Sequence, residues 1–181
     1  MAEVTGIDTQ IQYRSGLPDW LAIGDHSSDV VFSLYWTHYF SYKSQENPVT
    51  TVYDCVGYFG WPCDRIAYPE NRLISTINYR SGPLGLHLTW RWIEGTRNGY
   101  WFDPYFSDGL APAIPGAADK NYLDLGFSYD FGDHFRAYFV IANLTDTKPP
   151  QMALQAEVNN TDLGLYDVLG RSYLLRLSAN F

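Results

Sequence analysis

Seven stretches of this chain alternate apolar and polar side chains residue by residue, and a period of two fits a β-strand and no helix. In GIDTQIQYR, Ile7, Thr9, Ile11 and Tyr13 stand against Asp8, Gln10, Gln12 and Arg14. VVFSLYWTHYF sets Phe32, Leu34, Trp36, His38 and Phe40 against Ser33, Tyr35, Thr37 and Tyr39. RLISTINYR places Leu73, Ile77 and Tyr79 opposite Thr76, Asn78 and Arg80, and LHLTWRW places Leu86, Leu88, Trp90 and Trp92 opposite His87, Thr89 and Arg91. YLDLGFSYDF opposes Leu123, Leu125, Phe127, Tyr129 and Phe131 to Asp124, Gly126, Ser128 and Asp130. HFRAYFVIANL is a sixth strand, more apolar and less clearly sided, and RSYLLRLSANF a seventh, with Tyr173, Leu175, Leu177, Ala179 and Phe181 on one face. Leu174 breaks that last pattern.

The connections fall into two series. Gly82-Pro83-Leu84-Gly85 and Gly132-Asp133 have tight-turn chemistry and predict hairpins. Roughly 28 residues from Ser44 to Asn71, 22 from Asn98 to Asp119 and 26 from Thr145 to Gly170 separate the other pairs, far above ordinary loop lengths. Short turns at one end and long loops at the other predict the antiparallel strands of a transmembrane β-barrel. A soluble β-sandwich, its hydrophobic faces pointing into one shared core, stays open as the alternative.

Composition agrees with patterned strands: aromatics reach 17%, yet mean hydropathy is only −0.24. No run approaches the length of a spanning helix. A net charge of −8 with scattered Lys and Arg leaves no basic patch for nucleic acid. Met1-Ala2-Glu3-Val4 has neither the basic nor the apolar region of a signal peptide, so the chain reads either as cytoplasmic or as the tail of a longer one.

Nothing predicts an enzyme. His26, His38, His87 and His134 have no metal-ligand or triad spacing, and His87 lies on a polar strand face beside Thr89 and Arg91. Asp103, Asp108 and Asp119 match no calcium loop and read as a solvated acidic stretch. No cofactor or metal is expected. Asn159-Asn160-Thr161 matches a glycosylation acceptor, a pattern frequent by chance.

Three segments resemble TonB-dependent outer-membrane receptors. YDVLGRSYLLRLSANF, from Tyr166 to Phe181, looks like their C-terminal strand with its Tyr-Asp-x-x-Gly-Arg lead-in, although Val168 stands where the family usually has Pro. FVIANLTDTKPP resembles their Asn-Leu-x-Asp-x-x-Pro segment through Asn143, Leu144, Asp146 and Pro149, and VTGIDTQIQY is similar to a family strand at Gly6, Ile7 and Asp8. The resemblance implies that residues 1–181 form about seven C-terminal strands of a barrel of about 22, with short periplasmic turns and long extracellular loops. It implies an outer-membrane location and the active uptake of a scarce nutrient such as an iron–siderophore, vitamin or oligosaccharide, by a fragment not competent alone. The implied partners are outer-membrane lipid, the rest of the barrel and its plug, TonB through the missing N-terminal part, and the assembly machinery, which would read Tyr173, Leu175, Leu177 and Phe181. A secreted β-sandwich binding protein is the alternative function.

Outside the cytoplasm, two cysteines favour a bridge, so Cys55 and Cys63 are expected to pair, with free thiols as the cytoplasmic alternative. Tyr58, Phe59 and Trp61 inside that loop, with Tyr100, Trp101, Phe102, Tyr105 and Phe106, are candidate ligand-contacting aromatics. Packing of the long loops against each other would use the same rings.

Overall fold

The computed structural model describes residues 2–23, 27–45, 47–63, 66–102, 113–152 and 160–180. Seven long strands form one antiparallel meander: β1 (Ala2–Leu17), β2 (Ser28–Ser44), β5 (Asn71–Ser81), β6 (Leu84–Ile93), β9 (Lys120–Phe131), β10 (Phe135–Ala142) and β11 (Ser172–Ala179). The short β3 (Tyr53–Asp54) pairs with the end of β2. A second sheet, β4 (Tyr58–Phe59), β7 (Thr96–Asn98) and β8 (Gly116–Ala117), comes entirely from the long connections.

Cross-strand register aligns the alternating sets. Ile11 pairs with Leu34, Phe32 with Ile77, Ile77 with Leu88, Leu88 with Leu125, Leu125 with Ile141 and Ile141 with Tyr173. Because neighbours in register project to the same side, one apolar face runs unbroken across all seven strands. The other face is polar and laced with ion pairs: Arg14 with Asp29 at 3.1 Å, Arg91 with Asp124 at 3.6 Å, and Asp130 held by both Arg136 and Arg80. The Arg136 guanidinium, hydrogen-bonded to Asp130, holds that carboxyl below the usual carboxylate range. Leu174 stands opposite Val140 on this polar face, an apolar cross-strand pair that accounts for the break in alternation.

Gly6 is needed where the β1–β2 ladder slips by one residue, since a Cβ there would lie 2.6 Å from the His38 carbonyl oxygen.

The expected barrel does not close. The strand order begins at β1 and ends at β11, and these two do not pair. An open sheet presents unpaired N–H and C=O groups along both edges, which hydrocarbon cannot satisfy. The reading as a transmembrane barrel segment is therefore corrected to an open antiparallel sheet with a second small sheet. With it fall the outer-membrane location and the partnerships with lipid, plug, TonB and assembly machinery. Alternation misled here because a strand with one apolar face reads the same in an open sheet and in a closed one. Among the described residues no helix is long and apolar enough to cross a membrane.

The buried core lies at the loop end of the sheet. Phe59, Ala67, Ile93, Ala117, Tyr122, Met152 and Tyr166 pack together, drawing on all three long connections. Asp162, itself buried, accepts the Ala67 N–H at 2.9 Å and the Gly164 N–H at 2.8 Å, tying the third connection to the first. Burial pushes the Tyr166 hydroxyl up to about 12.

Candidate functional site

The loop that follows β2 turns back on itself inside a covalent ring. Cys55 and Cys63 are bonded and fully buried, and Gly57 and Gly60 adopt the left-handed φ values, +80° and +77°, that the reversal requires. The Asp54 carboxylate receives the Tyr42 N–H at 3.0 Å and the Val56 N–H at 3.3 Å, and Tyr42 and Tyr68 stack with centroids 4.0 Å apart. Such contacts hold the ring beside the end of β2.

Between the two lies a cleft of about 430 Å³, lined by His38, Tyr39 and Phe40 from β2, by Asp54 from β3, by Val56 and Tyr58 from the ring, and by Glu70 just before β5. His38 is oriented by a chain of contacts. The Asn71 amide donates through Nδ2 to Glu94 at 2.7 Å, which turns its Oδ1 toward His38 Nδ1, 2.9 Å away, and toward the Trp36 indole N–H at 3.0 Å. An amide oxygen only accepts, so Nδ1 carries a hydrogen, and Nε2 is an acceptor in the neutral ring and a donor in the charged one. Phe40 meets the imidazole edge-on at 4.8 Å. Glu70 lies 3.9 Å from His38 and is half exposed. Tyr39 is fixed by Arg72, which donates to its hydroxyl at 2.9 Å. The cleft thus offers two carboxylates and an imidazole beside aromatic rings.

Of the candidate aromatics, Tyr58 lines the cleft, Phe59 is fully buried at the centre of the loop core, and Trp61 is exposed with Tyr100 at 6.2 Å, ring to ring. Phe59 is therefore a packing residue. The side chains of Trp101 and Phe102, and residues Tyr105, Phe106 and Phe181, lie outside the described residues, as do His26, Asp103, Asp108 and Asn159. Tyr173, Leu175 and Leu177 lie exposed on the apolar face of the edge strand β11. His38, Asp54 and Glu70 escaped the sequence reading because only the pairing of β2 with β3 and β5 brings them together. Among the described residues no group of three His, Cys, Asp or Glu could hold a metal ion.

Comparison with known protein families, with curated proteins and with solved structures finds no match for the chain. The TonB-dependent receptor identification is corrected by the open sheet. The motifs that suggested it have a local explanation. Asn143, fully buried at φ +51°, donates from Nδ2 to the Thr147 carbonyl at 3.0 Å and accepts the Thr147 N–H at 2.8 Å, while its own N–H goes to Asp124 at 2.7 Å. Asp146 then accepts the Arg171 N–H at 3.0 Å and a Lys148 hydrogen bond at 3.1 Å. Those two bonds, the Arg171 N–H first, hold its carboxyl below the usual range. Gly170 adopts φ +73° where a Cβ would come within 2.8 Å of that carboxylate. The Asn-Leu-x-Asp and Gly-Arg segments are two halves of one latch joining the exit of β10 to the start of β11.

Proposed function

We propose that this chain is a secreted binding protein that does no chemistry on its ligand, and that the loop-end cleft takes a small ligand rich in hydrogen-bond donors, such as a saccharide or an amine. The observation that carries this reading is the cleft itself: its volume of about 430 Å³ suits a small molecule. The Asp54 and Glu70 carboxylates accept from such a ligand and His38 Nε2 accepts in the neutral ring, while Phe40 and Tyr58 offer ring faces to its apolar side. Export is supported by the buried disulfide, which persists in oxidising compartments. The exposed Trp61 beside Tyr100 extends the aromatic surface next to the same covalent ring.

Isothermal titration with a panel of neutral oligosaccharides and alkylamines tests the proposal. At least one class is expected to bind, and Glu70→Ala, which removes an exposed acceptor and no packing, is expected to weaken it at least tenfold, about 1.4 kcal/mol. Asp133→Ala, at the turn end of the sheet, should leave affinity unchanged. Absence of binding across the panel, or equal affinity in wild type and Glu70→Ala, contradicts it.

A further inference from the structure

Among the described residues nothing covers the apolar face of the long sheet. Ile11 on β1, Trp36 on β2, Ile77 on β5, Trp90 on β6, Phe127 on β9 and Leu175 on β11 all remain between 36% and 66% exposed, although each points to the same side. Monomeric proteins rarely leave contiguous apolar patches above a few hundred Å² in water. Seven strands about 4.8 Å apart, each giving about eight residues at about 3.4 Å rise, make a footprint on the order of 900 Å². A stable protein interface needs about 800 Å² from each partner.

We propose that a second copy of this chain covers this face, the two sheets stacking face to face as a sandwich dimer. Three observations favour that occupant. The footprint matches what a stable dimer needs. The aligned sets from Ile7–Tyr13, Phe32–Trp36, Leu84–Trp92, Leu123–Phe131 and Phe135–Ile141 contain no Lys, Arg, Asp or Glu, so two copies with net charge −8 each can approach through it while their charges stay on the outer faces. The open edges decide against a lipid surface. At β1 and β11 the unpaired backbone groups stay hydrated in a dimer in water, whereas a bilayer core would leave them unsatisfied. Trp36 and Trp90, whose indole N–H groups donate to Asn71 at 3.0 Å and Asn121 at 2.9 Å, can enter such an interface with their polar atoms already paired.

Sedimentation equilibrium in detergent-free buffer should give twice the 20.7 kDa chain mass at micromolar concentration. Leu88→Glu, at the centre of the face, is expected to raise the dimer dissociation constant at least 100-fold with the far-ultraviolet circular dichroism unchanged; Gln12→Glu, on the polar face, should leave it unaltered. If Leu88→Glu fails to fold, acrylamide quenching of tryptophan emission in the wild-type protein decides, since the dimer predicts stronger quenching on dilution. Overturning results are a wild-type monomer whose quenching does not change with concentration, or a protein dispersed only in dodecyl maltoside micelles or on phosphatidylcholine vesicles, with the face taken up by amphiphile. Ligand binding at the cleft is read separately, by titration of the wild type and Glu70→Ala, and its failure leaves the sedimentation result standing.

Discussion

Asn143→Ala is expected to lower the free energy of unfolding by about 3 kcal/mol, the largest loss from any single side chain in the latch. The substitution leaves the half-buried Thr147 N–H and carbonyl without their partner, at about 1 kcal/mol each, the low end of the cost for a group left unsatisfied. It also puts a Cβ without a compensating amide at φ +51°, a conformation costing about 1 kcal/mol for ordinary residues and less for Asn. Asn143→Gly separates the two causes. It relieves the backbone but not the hydrogen bonds, so it should recover about 1 kcal/mol of the loss and no more. Urea denaturation followed by circular dichroism measures both. Full recovery by Gly would mean that the amide contributes nothing and that the segment is held by backbone conformation alone.

Asp162→Ala is expected to cost about 2 kcal/mol, chiefly from the buried Ala67 N–H, which loses a charged acceptor, with a smaller share from the exposed Gly164. Its distinguishing effect is on position. Ala67 bridges to Phe59, the centre of the loop core, so the damage should concentrate between 55 and 69. Limited proteolysis is expected to cut first within that stretch, with the long strands resisting until global unfolding. First cleavage within β5, β6 or β9 would show that Asp162 supports the sheet and not the loops.

How far the sequence could be read follows from what each element buries. The long strands were legible because their apolar sets, such as Leu86, Leu88, Trp90 and Trp92, share one face over enough residues for a period to show. Strands β4, β7 and β8 are two or three residues long, too short for any period, and they exist because the loops pack around Phe59 and Tyr122. Closure could not be read at all. Tyr173, Leu175 and Leu177 alternate equally well on an edge strand and on a strand with two neighbours, since pairing partners leave no mark on the side-chain pattern. The spacing of Asn143, Asp146 and Gly170, which resembles a receptor family's motifs, serves in this fold as a latch between β10 and β11. Of the cleft, only Tyr58 and its cysteine ring were visible; His38 meets Glu70 through strand register, which residue spacing does not encode.

The central claim is an open sheet whose two edge strands lack a second partner among the described residues. Amide hydrogen exchange, resolved residue by residue, tests it most directly. Along β1 and β11 every second amide should exchange within minutes, because alternate N–H groups point away from β2 and β10 into solvent, while β5, β6 and β9 stay protected throughout. A face-to-face dimer leaves this pattern intact. Unbroken protection along both β1 and β11 would contradict the open sheet and require a partner on each edge.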